Sequence, residues 1–220
     1  MENINAMPPV PATLPTDNEL VEEIKDYIWK SLIIRGVSDV AEIRECTEEL
    51  FEEELEGVNP IHVEDLAGQM VDIRRHQLTE LGGYSSRLSA AFQELKDRGV
   101  LALGDFSCCG TCGSGEAHDL MLERGMDGYV YFHEQDTDDL IDSGETYLGY
   151  GLNLPKRYTE EEWEALSEDA ATRIYTELCR SMAEDTLTPV FERHGIDFHW
   201  DGDLSVRMHI SNADFFRPLS

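Results

Sequence analysis

Residues 100–133 read VLALGDFSCCGTCGSGEAHDLMLERGMDGYVYFH, and the reading of this stretch decides the fold. Val100 to Phe106 forms an apolar run that reads as a strand. Gly128 to His133 is the clearest strand in the chain, rich in β-branched and aromatic residues. Between them, Ser114 to Arg124 reads as a helix with Ser114 near its N-cap. A strand, a helix and a strand in succession close, as a rule, into a right-handed parallel crossover. Two parallel neighbours end on the same sheet edge. One end then delivers a glycine-rich loop carrying Cys108, Cys109 and Cys112, and the other delivers His133, Glu134 and Asp136. Ligand sites in open sheets favour that edge. An antiparallel pairing would separate the two clusters.

Downstream of this unit a short helix spans about 137–142, and Thr146 to Gly151 reads as a third strand. Thr159 and Glu162 form a capping box that opens a long helix towards Arg180. A further helix runs from about Met182 to His194, and Pro189 must bend or break it. Ile196 to Trp200 and Ser205 to Ile210 flank Asp201-Gly202 as a β-hairpin. Tyr129, Tyr131, Phe132, Tyr147 and Tyr150 line a core or a groove, and Gly149 and Gly151 mark close backbone approach or a bulge.

Upstream, four amphipathic stripes predict four helices. The first carries Leu20, Ile24, Ile28 and Leu32; the second follows Ser38; the third starts near Pro60; the fourth starts at Ser85 or Ser86 and closes at Gly99. Residues 1–17 are proline-rich and polar and read as a disordered, mobile arm. The predicted class is α+β. A helical region, 18–98, precedes an α+β region, 99–220, with a small mixed sheet of about five strands and helices on one face. The two regions are expected to form one continuous globular unit.

The formal net charge is -29 over 220 residues, and 41% of the residues are hydrophobic. That is enough apolar material for a core and too much for a disordered chain. The negative field repels phosphate backbones and anionic lipid surfaces, so neither nucleic acid nor membrane is an expected partner; a basic protein partner is allowed. Carboxylate excess with only four lysines resembles the surface of proteins from high-salt hosts, and equally that of an ordinary acidic cytosolic protein. The first residues lack a basic start and an apolar run, so no signal peptide is expected. Five cysteines is an odd number, which argues for a reducing cytoplasmic setting over a disulfide framework.

The cysteine loop admits four chemistries. Cys109 and Cys112 have the C-x-x-C spacing that lets two thiolates reach one tetrahedral zinc ion, with His118 and His133 as the remaining ligand candidates. The same pair could exchange disulfides, although the predicted helix starts two residues after it, whereas a redox pair places its first cysteine at the helix mouth. One thiol could act as a nucleophile with His133 as base and Asp136 or Glu134 as orienter. Or the thiols simply pack. The catalytic candidates are therefore Cys109, Cys112, His133 and Asp136, and the metal candidates Cys109, Cys112, His118 and His133. The favoured reading is a binding or regulatory protein with a structural cysteine loop, zinc its candidate cofactor. The alternative is a thiol-dependent enzyme.

The order F-x-C-C-x-x-C-G (Phe106 to Gly113), G-Y-V-Y-F-H-x-Q-D-T (Gly128 to Thr137) and Y-L-x-Y-G (Tyr147 to Gly151) is similar to an uncharacterised prokaryotic family classed as a domain of unknown function. The resemblance covers about residues 20–210 and is most specific over 106–151. It implies no catalytic residue, but it implies that the cysteine loop and the His133 segment belong together.

Overall fold

Helices of the N-terminal unit begin where a short polar side chain takes up free backbone N–H groups. In the computed structural model, which describes residues 4–220, Asp17 accepts from the Glu19 N–H to open α1 (Asn18–Asp26), which continues as a π-helical segment, Tyr27–Ile33. Asp39, next to the expected Ser38, caps α2 (Val40–Leu50). Asn59 caps α3 (Pro60–Leu81), with Pro60 in the first turn where its missing N–H costs nothing. The apolar faces of these helices supply a core that includes Ile24, Ile28, Trp29, Ile43, Leu66 and Met70, all at most 1% exposed.

The segment expected as a mobile arm has no helix or strand between residues 6 and 14, yet it is tied to this unit. The Trp29 indole donates to the Asn5 carbonyl at 2.7 Å. The buried Arg74 guanidinium donates to the Ile4 carbonyl at 3.0 Å and to Asn5 Oδ1 at 3.1 Å. Burial pulls the Arg74 pKa down to about 10, so it stays charged at neutral pH and depends on these acceptors. Asn5→Ala is expected to lower unfolding stability by about 1–2 kcal/mol, the cost of stranding a buried charged donor. Urea denaturation checks this; an unchanged midpoint would show that the segment contributes nothing.

The chain divides into two compact units, one built from the residues up to Ser85 with Phe216–Ser220, the other from Ser86–Phe215. The division falls ahead of the fourth helix rather than at residue 98. Ser86 caps that helix, α4 (Arg87–Asp97), by accepting from the Ser89 N–H, and its buried Leu88, Phe92 and Leu95 belong to the second unit.

The second unit holds β1 (Val100–Leu103), α5 (Gly110–Glu123), β2 (Gly128–Tyr131), α6 (Glu134–Ser143), β3 (Thr146–Leu152), α7 (Glu160–Glu164), α8 (Glu168–Met182), α9 (Thr188–Arg193), β4 (Asp197–His199) and β5 (Met208–Ser211). The five strands form one mixed sheet in the order β1-β2-β3-β5-β4. β1 and β2 are parallel, with Val100 opposite Gly128 and Leu103 opposite Tyr131. All other pairs are antiparallel, including the predicted C-terminal hairpin, where His199 pairs with His209. The α+β class and the crossover expected from residues 100–133 are both present.

Alternation along β1 and β2 sends residues to two faces. Leu101, Tyr129 and Tyr131 cluster with Ala117 and Met121 of α5. Phe132, on the opposite face, meets Phe92 of α4 at a centroid separation of 6.0 Å, and Phe92 meets Phe191 of α9 at 6.4 Å. Helices thus flank both faces of this part of the sheet, a fuller cover than helices on one face, and every β2 residue is buried. The long helix expected from Thr159 is interrupted, because Ser167 caps a new helix by accepting from the Ala170 N–H. Ahead of Pro189 the chain widens into a π-helical segment, Ala183–Leu187, where the proline withholds a backbone donor.

Candidate functional site

Parallel pairing of β1 and β2 places the cysteine turn beside the start of α6. Backbone hydrogen bonds continue the pairing past both strands: Phe132 N–H donates to the Leu103 carbonyl, Phe106 N–H to the Phe132 carbonyl, and Glu134 N–H to the Ser107 carbonyl. Between these anchors the chain takes left-handed conformations at Asp105 (φ 52°) and Ser107 (φ 65°). Neither is glycine, and each such residue costs of order 1 kcal/mol unless its surroundings hold it. The Thr137 hydroxyl does part of that holding by donating to Asp105 Oδ1 at 2.8 Å.

α5 begins at Gly110, four residues before the expected Ser114. The glycines and small residues of 110–115 obscure the helix start in the sequence, since none carries an apolar stripe. Cys109 is therefore the N-cap residue and Cys112 lies in the first turn. The sulfurs of Cys108, Cys109 and Cys112 all lie within 4.8 Å of one another. Cys108 and Cys112 are exposed and Cys109 is half-buried; all five cysteines of the chain are free thiols. The backbone N–H of Cys112, then the Cys112 thiol and the N–H of Thr111, hold the Cys109 thiol below its ordinary range. Hydrogen bonding with Cys109 and Cys108 pushes Cys112 up to about 11. Three clustered sulfurs do not ionise independently.

Tyr131 supports this turn from below. Its hydroxyl donates to the Gly110 carbonyl at 2.6 Å. A Cβ on Gly113 would stand 2.6 Å from the Tyr131 ring, and one on Gly149 of β3 would stand 2.4 Å from it. Gly113 and Gly149 are thus the two positions where the ring needs bare backbone, which accounts for the close approach foreseen at Gly149. Gly113→Val is expected to push α5 off Tyr131 and cost roughly 1–3 kcal/mol. Thermal melts check this, and an unchanged melting temperature would refute the tight fit.

The two imidazoles proposed as ligands do not join the thiols. His133 packs against Gly110, whose Cβ position is 3.7 Å from its ring, but its Nε2 lies 3.0 Å from Asp136 Oδ2. Arg207 closes the same carboxylate from the other side, at 2.6 Å to Oδ2 and 3.1 Å to Oδ1, while its guanidinium lies 5.2 Å over the Tyr147 ring. His133 Nδ1 is buried with no hydrogen-bond partner. His118 sits about 9 Å along the helix axis from Cys112 and turns its ring edge to Tyr129, 6.4 Å between centroids. Among the described residues, the three cysteines are the one group of His, Cys, Asp or Glu side chains close enough to share an ion. The sequence candidates thus include Cys109 and Cys112, leave out Cys108, and add two histidines that face other partners. The pairing of a cysteine with His133 for nucleophilic chemistry has no contact to rest on, since the ring is turned to Asp136.

Arg207 escaped the sequence reading. One signal was available: it is the sole Lys or Arg in the hairpin segment 196–211, in an otherwise acidic chain. Next to the cysteine turn, Gly110, Ser114, Tyr131, Tyr150, Tyr175 and Arg207 line a groove of about 360 Å³, to which only Tyr131 and Tyr150 of the five strand aromatics contribute.

Fold and site together define an α+β protein with a three-thiol turn at the mouth of a helix. The chain belongs to the family described as Domain of unknown function (DUF6891), whose model matches residues 17–219 and so spans both units. No curated protein and no solved structure matches the chain. None of the described helices is long and apolar enough to cross a membrane.

Proposed function

We propose that this is a binding protein whose cysteine turn holds one soft divalent cation, zinc foremost, through Cys108, Cys109 and Cys112. The observation that carries the reading is the convergence of the three sulfurs on a turn anchored at both sides. Tetrahedral zinc with Zn–S bonds of about 2.3 Å sets sulfurs about 3.8 Å apart. The three sulfurs, all within 4.8 Å of one another, stand no more than about 1 Å outside that spacing. Thiolates are the donors that select zinc or another thiophilic ion over magnesium or calcium. The negative charge of the chain favours cation uptake.

With three protein donors, the fourth position falls to water or to an incoming ligand, the arrangement of open rather than closed zinc sites. The ion, when bound, would act as a Lewis acid on whatever fills that position. The residues of the chain fix the turn: Tyr131 holds α5, Thr137 holds Asp105, and the β1–β2 edge holds the rest. Free thiols in this number suit a reducing, cytoplasmic setting.

Elemental analysis of protein purified without chelator is expected to give one zinc per chain. His118→Ala should retain it, because that ring faces Tyr129. Metal content below one-tenth per chain after zinc loading and desalting would end the proposal.

A further inference from the structure

We infer that, free of metal, the same turn carries out thiol–disulfide exchange, with Cys109 as attacking sulfur and Cys112 as resolving sulfur. The inference goes beyond the metal reading and does not depend on it. One sequence objection to redox chemistry, beside the acidity of the chain, is a gap between the C-x-x-C pair and the predicted helix. The structure removes that gap: Cys109 is the N-cap of a 14-residue helix and Cys112 lies in its first turn. As the N-cap residue, Cys109 has its side chain at the positive end of the α5 dipole. The Cys112 sulfur is within 4.8 Å of the Cys109 sulfur, on an exposed side chain free to turn, where a disulfide needs about 2 Å.

The co-reactant is a small external disulfide, R–S–S–R. The Cys109 thiolate attacks one of its sulfurs, the R–S–S–R bond breaks, and RS⁻ leaves with the electron pair and takes a proton from solvent. A Cys109–S–S–R mixed disulfide remains. Cys112 then loses its proton to solvent and attacks Sγ of Cys109, expelling the second RS⁻, which is likewise protonated. The protein dithiol has lost two electrons and two protons, and two RSH have formed. Cys108 takes no part in either step and stays reduced.

The test uses the full chain, reduced, chelator-treated and equilibrated in glutathione–glutathione disulfide buffers of stepped ratio. Peptide mass mapping of the wild-type protein is expected to locate a Cys109–Cys112 disulfide with Cys108 free. Cys112→Ser should accumulate glutathione on Cys109, and Cys109→Ser should lose the internal disulfide. A wild-type map showing no internal disulfide at any ratio, or one that uses Cys108, overturns the inference without recourse to a variant. Added zinc should suppress exchange if both proposals hold. Exchange that ignores zinc, in protein that retains none, would sink the metal reading alone.

Discussion

Replacing Cys109 by serine is expected to abolish zinc retention, with a loss of apparent affinity of about 10²–10³-fold. Structural zinc sites yield about 10–16 kcal/mol at neutral pH from four donors, so one thiolate accounts for about 2.5–4 kcal/mol. Cys109 is the most telling position because it is half-buried at the N-cap, where Thr111 and Cys112 N–H groups already favour its thiolate. Affinity is also expected to fall as pH drops. Every thiol must surrender its proton to the ion, and Cys112, pushed up to about 11, holds its proton throughout the neutral range. Each displaced proton contributes about tenfold per pH unit. The dependence should therefore be steeper than one decade per unit between about pH 6 and 8. Competition against a colorimetric chelator across that range measures it. A flat profile, or a Cys109→Ser protein that binds like wild type, would remove the thiols from the site.

Arg207→Met is expected to destabilise the second unit by about 3 kcal/mol. Asp136 is nine-tenths buried, and Arg207 makes two hydrogen bonds to it from a side chain that is itself 42% exposed. Removing the arginine leaves a buried carboxylate facing one imidazole, and an uncompensated buried charge of this kind costs about 3–5 kcal/mol. The value is set at the low end because His133 Nε2 remains 3.0 Å away. The expected loss in melting temperature is about 10 °C. The converse, Asp136→Asn, should cost less, since the partly exposed arginine can turn to water. The two variants compared by calorimetry test the buried-carboxylate argument. Equal, small effects would mean that the network stabilises nothing.

The stability of the site and its chemistry thus rest on separate residues that meet at one sheet edge. The Asp136–Arg207–His133 network fixes the start of α6, which holds Ser107 through Glu134 and Asp105 through Thr137. Tyr131 fixes the start of α5. Between the two anchors, Asp105 and Ser107 are held in conformations that an unsupported loop would abandon. The metal and exchange proposals both draw on this preformed convergence. If both proposals hold, bound metal withholds the thiols from exchange and its removal frees them.

By itself, the sequence determined the class, the strand-helix-strand unit and the meeting of the cysteine loop with the His133 segment. Those follow from periodicity and from the handedness of crossovers, both of which act over a few residues and leave a legible pattern. It also marked Gly149 as a place of close approach, because a bare backbone in an aromatic strand has few other uses. What it left open depends on distances between residues far apart in the chain. The helix start at Gly110 is decided by Tyr131 packing under Gly113, which no local propensity encodes. The direction of the His133 ring is decided by Asp136 and by Arg207, 74 residues further on. Cys108 joins its neighbours because left-handed turns at Asp105 and Ser107, imposed by the adjoining strand and α6, swing it to their side. Local sequence sets which atoms are available; the packed sheet edge sets which of them face one another.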